Sequence, residues 1–122
     1  MPYFRDRVKQ VSVVAAGTGD VTLPAGAATG GYQTFNTAFG LNAQFTYCIV
    51  DNTNGLWETG VGYLTSSTNM VRDLATDGSS GKETKVNFTA QPLDVFCTII
   101  GHYVGDINPG TTLANSRGGA MP

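Results

Sequence analysis

FTYCIV-DNTNG-LWETGVGYL, residues 45–64, decides how the rest of the chain is read. Phe45, Tyr47 and Ile49 alternate with Thr46, Cys48 and Val50, the two-residue period of a strand with one bulky side. Asp51-Asn52-Thr53-Asn54-Gly55 is turn chemistry. A second strand follows at once and carries Trp57, the sole tryptophan, beside Glu58. Along it Trp57, Thr59, Val61 and Tyr63 share one side, and Leu56, Glu58, Gly60, Gly62 and Leu64 the other. Two glycines on one side leave a groove where another backbone or a ring can lie close. Trp57 is expected in the core, because a large aromatic on a strand adds more by packing than by display.

Working outward, Met70–Leu74 reads as a short strand and Thr76–Glu83 as a flexible loop. Val86–Phe88 and Leu93–Ile100 read as closing strands that pair across Thr89-Ala90-Gln91-Pro92. Upstream, valine-rich Val8–Val14 suits a first strand, and Val21–Leu23 a second that Pro24 ends. Residues 25–31 are a small-residue loop, and Tyr32–Phe39 resumes β-type composition. No stretch has a helical period. The expectation is an all-β protein, a single β-sandwich or barrel-like domain over residues 8–100. An extended N-terminal arm, 1–7, and a C-terminal arm, 101–122, flank it. The expected structural core is Tyr47, Ile49, Trp57, Val86, Phe88, Val95 and Phe96. In the C-terminal arm Tyr103, Val104, Ile107 and Leu113 stand among glycines and prolines. They cannot build a core alone, so they are expected to form an assembly interface along a partner.

Composition agrees with a folded domain and removes several functions. The 122 residues are enough for one core, 41% are hydrophobic and only 13% charged, and 16 glycines imply many turns. A net charge of −2, with seven scattered Lys and Arg, makes no basic patch for nucleic acid. No run approaches the roughly 20 apolar residues of a membrane helix. The polar opening Met1–Asp6 has no signal-peptide pattern, so cytoplasmic synthesis without membrane attachment is expected. In that compartment Cys48 and Cys97 are expected as reduced, buried thiols.

Catalysis finds little support. His102 is the single histidine, and with two distant cysteines it falls short of a zinc site. No nucleophile triad is signalled. Glu58, Asp51, Asp73 and Asp94 are the available carboxylates, each also readable as a turn cap, a partner of Arg72 or a solvated edge. Gly78-Ser79-Ser80-Gly81-Lys82 lacks the spacing of a phosphate loop. Trp57 with Tyr63 is a candidate sugar platform. The expectation is no enzymatic activity, no cofactor and no metal.

The order of certain residues resembles a β-module of tailed-phage virion proteins. They are Tyr47, Ile49 and Asp51; Trp57, Glu58, Gly60, Gly62 and Tyr63; Arg72; Val86 and Phe88; then Asp94, Val95 and Phe96. Asp6-Arg7-Val8-Lys9 and Gly17–Leu23 resemble the module's start, so the likeness spans about residues 6–100. That module often heads tail-fibre proteins, but here only about twenty residues follow it, too few for a fibre shaft. The resemblance therefore implies a capsid decoration (cement) protein on the head exterior, bound to the major capsid protein or other virion proteins. A homotrimer is the assembly it favours, and the virion the location. It implies as alternatives a tail, neck or head-fibre adaptor. A small carbohydrate-binding module for adsorption is a further reading, from Trp57 and Tyr63.

Overall fold

The computed structural model describes residues 3–26, 28 and 30–101. It is mostly strand, in one antiparallel, nearly closed barrel-like sheet. The elements are β1 (Lys9–Ser12), β2 (Val21–Thr22), α1 (Phe35–Phe39), β3 (Phe45–Asp51), β4 (Leu56–Ser66), β5 (Asn69–Gly78) and β6 (Leu93–Phe96). Their order across the sheet is β1-β6-β3-β4-β5-β2.

The long β4–β5 hairpin curls the sheet. Its register shifts between Thr59 and Gly60, between Val61 and Gly62, and between Leu64 and Ser66. Each irregularity adds local twist and bends the strand, so the edges β1 and β2 are brought round towards each other. Gln10 bridges that seam: its Nε2 donates to Pro24 O at 3.3 Å, and its Oε1 accepts from Phe35 N–H at 3.0 Å. The buried amide thus satisfies backbone groups that no sheet partner reaches.

Val8, Val21, Leu23, Phe45, Tyr47, Ile49, Leu64, Met70, Val86, Phe88, Leu93 and Val95 fill the interior, with Phe35 and Ala38 of α1. The helix was not expected from the sequence, where Tyr32–Phe39 reads as β. Five residues are too short for a period to register. Local chemistry decides instead: Thr34 caps the first turn by accepting from Thr37 N–H at 3.0 Å. Gly40, at φ 73, ends it. The Phe35 and Phe39 rings each lie 4.8 Å from that of Phe45, which seats the helix on the barrel.

Other expectations are corrected at the closing strands. Residues 86–88 form no named strand; Phe88 makes an isolated bridge with Gly17. β6 ends at Phe96 and pairs with β1 and β3, not with the 86–88 segment. β5 runs to Gly78, past the end expected for it at Leu74. Within the segment expected as an N-terminal arm, Tyr3 pairs with β3: its N–H donates to Gln44 O at 2.9 Å and its carbonyl accepts from Thr46 N–H at 3.4 Å. After β6 the chain crosses the outside of the sheet, where Thr46 Oγ1 donates to Thr98 O. Ile100 is buried there, outside the barrel cluster.

Candidate functional site

Of the residues quoted for the resemblance, Tyr47, Glu58, Gly60, Gly62, Arg72, Val86 and Phe88 meet inside the barrel. β3 and β4 pair with Tyr47 opposite Gly60, Ile49 opposite Glu58 and Phe45 opposite Gly62. Directly opposed residues point to the same face, so Tyr47, Glu58, Gly60 and Gly62 all face inward. Glu58 and Arg72 are fully buried and form an ion pair. Burying a carboxylate and a guanidinium is costly unless each polar atom is partnered.

Here both are saturated. Glu58 Oε1 accepts from Arg72 Nη2 and from Val86 N–H at 2.7 Å. Its Oε2 accepts from the Tyr47 hydroxyl at 2.6 Å and from Arg72 Nε at 3.0 Å. Arg72 places its remaining donors on Val86 O at 2.7 Å, Gly17 O at 2.9 Å and Gly19 O at 3.1 Å. All five guanidinium N–H groups and the four carboxylate lone-pair sites are therefore used. The Phe88 ring lies 5.2 Å from the Arg72 guanidinium. One ion pair thus ties β4, β5, the 17–19 turn and the 86–88 segment together, and so orders two segments that have almost no sheet pairing of their own.

The glycines make room for it. The groove expected over Gly60 and Gly62 holds the Tyr47 ring. A Cβ on Gly60 would come within 2.7 Å of the Tyr47 hydroxyl and 2.2 Å of Leu74 O. On Gly62 it would meet Val71 O at 2.6 Å. Burial, then the charge of Glu58, pushes the Tyr47 phenol well above its ordinary pKa. The hydroxyl is held as a donor.

Of the residues expected in the core, Tyr47, Ile49, Val86, Phe88 and Val95 are buried. Trp57 is a correction: it is 39% exposed. It shares parity with Thr59 and Val61, and pairs with Val50 rather than with the inward Tyr47 or Ile49, so its side chain belongs to the outer face. Phe96 is half-buried, since it pairs with Cys48 and Lys9 on that same outer face. Tyr103, Val104, Ile107, Leu113 and His102 lie outside the described residues.

The other carboxylates have local partners. Asp51 caps the β3–β4 turn, accepting from Thr53 N–H at 2.9 Å and Asn54 N–H at 3.2 Å. Asp94 accepts from Asn52 Nδ2 at 3.0 Å, and Asp73 from Gln44 Nε2 at 3.3 Å. Both cysteines are free; Cys48 is buried and Cys97 half-buried. Burial pushes the Cys48 thiol up to about 11, which makes it a poor nucleophile at neutral pH. Glu58 and Arg72 were legible as motif members but not as core. The usable signal is parity, because both glycines of β4 share their face with Glu58. Comparison with family models, with curated proteins and with solved structures gives no match.

Proposed function

We propose that this chain is a phage virion structural protein, a decoration (cement) protein on the outer surface of the coat lattice that stabilises the head as a homotrimer. The observation that carries the reading is the buried centre at Glu58 and Arg72. Tyr47, Glu58, Gly60, Gly62, Arg72, Val86 and Phe88 carry the likeness to the virion module, and these residues meet there. Their arrangement is specific and demanding, and it leaves no polar atom of the pair free for a substrate. A motif of that kind specifies an architecture rather than a reaction, as befits a module reused among structural proteins.

The surface also suits association. Tyr3, Val13, Val14, Leu41, Leu74 and Ile99 are large apolar side chains left exposed, and only 13% of the chain is charged. These side chains are available for burial against a neighbouring subunit or the coat. The action is mechanical: a subunit bridging adjacent coat proteins adds interface that must break before the shell opens.

Copy number tests the reading. Quantitative mass spectrometry of purified virions should give hundreds of copies, one trimer for each local threefold position. A count of about six or twelve, as tail symmetry gives, would make the chain a tail or neck adaptor instead. Heads lacking the protein should rupture at lower temperature and regain stability when it is added back.

A further inference from the structure

We infer that the outer face of the β4–β5 hairpin carries a saccharide-binding cleft walled by Trp57. A cavity of about 640 Å³ opens there, a size within the roughly 300–1,000 Å³ of small-molecule sites. Trp57 and Thr59 of β4, Thr76 and Asp77 of β5, and Lys82 and Glu83 of the following loop line it. None of these residues belongs to the buried centre, and the cleft's role does not depend on lattice binding.

Paired backbone holds the cleft in shape. Trp57 N–H donates to Ser79 Oγ at 3.1 Å, and Ser79 N–H donates to Trp57 O at 2.9 Å. Thr76 Oγ1 donates to Thr59 O at 3.1 Å and lies 3.2 Å from Thr59 Oγ1. Glu83, at φ 58, bends the loop back so that its N–H reaches Thr76 O at 3.3 Å. Positive φ is uncommon for a residue with a side chain, and here it brings a carboxylate to the cleft rim. A site set on strands holds its groups more rigidly than one on loops alone.

The lining specifies the ligand's chemistry. An exposed indole offers a flat apolar face. Carboxylates accept, an ammonium donates, and the threonine hydroxyls, their protons already placed within the pair, accept. The complement is a ring with one CH-rich face and a rim of hydroxyls that donate and accept, which is a pyranose. Two carboxylates against one ammonium leave the cleft negative, so it selects neutral or amino sugars over uronic acids. A bare cation suits the indole and the carboxylates but offers no hydroxyls for Lys82 and the threonines to meet.

Because Trp57 is the sole tryptophan, its fluorescence reports this cleft alone. The full chain is titrated with chitotetraose, with maltotetraose and with tetragalacturonate as the anionic control. A saturable emission change is expected with at least one of the first two, at a Kd of about 0.1–1 mM, a weak monovalent affinity. Tetragalacturonate should bind about tenfold more weakly or not at all. In calorimetry Trp57→Ala should abolish binding. Asp77→Asn should weaken it about tenfold, as loss of one charge-assisted hydrogen bond does. Both variants should keep the parent's circular dichroism. Flat titrations with both neutral and amino tetrasaccharides up to ~20 mM, well past that expected affinity, overturn the inference. So does binding that survives Trp57→Ala, or a saturable response to tetramethylammonium with none to sugars.

Discussion

The Tyr47 ring lies on Gly60 across the β3–β4 pair, so close that a Cβ at position 60 would stand 2.7 Å from the phenolic oxygen. The same hydroxyl reaches Glu58 Oε2 at 2.6 Å. A missing side chain on one strand therefore sets the height at which a large one on its neighbour meets the buried carboxylate.

Gly60→Ala tests that fit. The new methyl would meet Leu74 O at 2.2 Å, and a backbone atom inside a strand pair cannot swing aside. A loss of about 3 kcal/mol is expected in urea unfolding, at the upper end for overpacking. Gly101→Ala is the control, since nothing lies within 4 Å of a Cβ there and its φ is not positive. An unchanged midpoint for Gly60→Ala would show that the ring has room to move.

The ion pair should behave as a unit. Glu58→Gln and Arg72→Met each leave a buried charge unpartnered, a loss of about 3–5 kcal/mol. The double variant should be less destabilised than the two singles added together, because the second change removes the charge the first one stranded. Additive losses would mean that the two side chains do not depend on each other.

Alkaline pH should loosen the fold in two steps. Cys48 and Tyr47 both have folded pKa values raised above their ordinary ones, Cys48 to about 11 by burial and Tyr47 by burial and then Glu58. Between its ordinary and its folded pKa, each group keeps a proton in the folded chain that the unfolded chain releases. The unfolded state then binds fewer protons, so stability falls as pH rises. The contribution is complete below the ordinary value of each group, about 8.5 for the thiol and 10 for the phenol. Urea midpoints should therefore decline above about pH 9 and more steeply above about pH 10. Cys48→Ala should remove the first part and Tyr47→Phe the second. A decline left intact in both variants would assign it to other groups.

Gln10 should act as the seam of the barrel. Gln10→Leu keeps much of the volume but leaves Phe35 N–H and Pro24 O without their partner. A loss of about 2 kcal/mol is expected for two backbone groups left unpaired. The Phe35 amide should then exchange with solvent much faster while β3 and β4 stay protected. Uniform faster exchange across all strands would argue against a local seam.

Much of the β architecture was legible in the chain itself. Period-two alternation in β3 put Phe45, Tyr47 and Ile49 on one face, and they are buried. The Asp51–Gly55 turn fixed the hairpin, and Gly60 with Gly62 foretold a ring lying close, because absent side chains on one strand face leave space that something must fill. The acidic residues were also readable as caps and strand partners, and Asp51 and Glu58 are such.

Tertiary structure alone decided the rest. Alternation states which residues of β4 share a face but not which face is inward. Register against β3 settles that, and it sends Trp57 outward while drawing Glu58 in. The helix at Phe35–Phe39 depends on a cap and on the Phe45 ring, and neither leaves a periodic trace in five residues. The 86–88 segment has strand composition, yet the neighbours that would make it a strand are occupied: β6 lies between β1 and β3. Its place is set by Arg72 and Glu58, residues 14 and 28 positions away. Pairings over such distances are chosen by the nearly closed barrel as a whole, and no local stretch of sequence carries them.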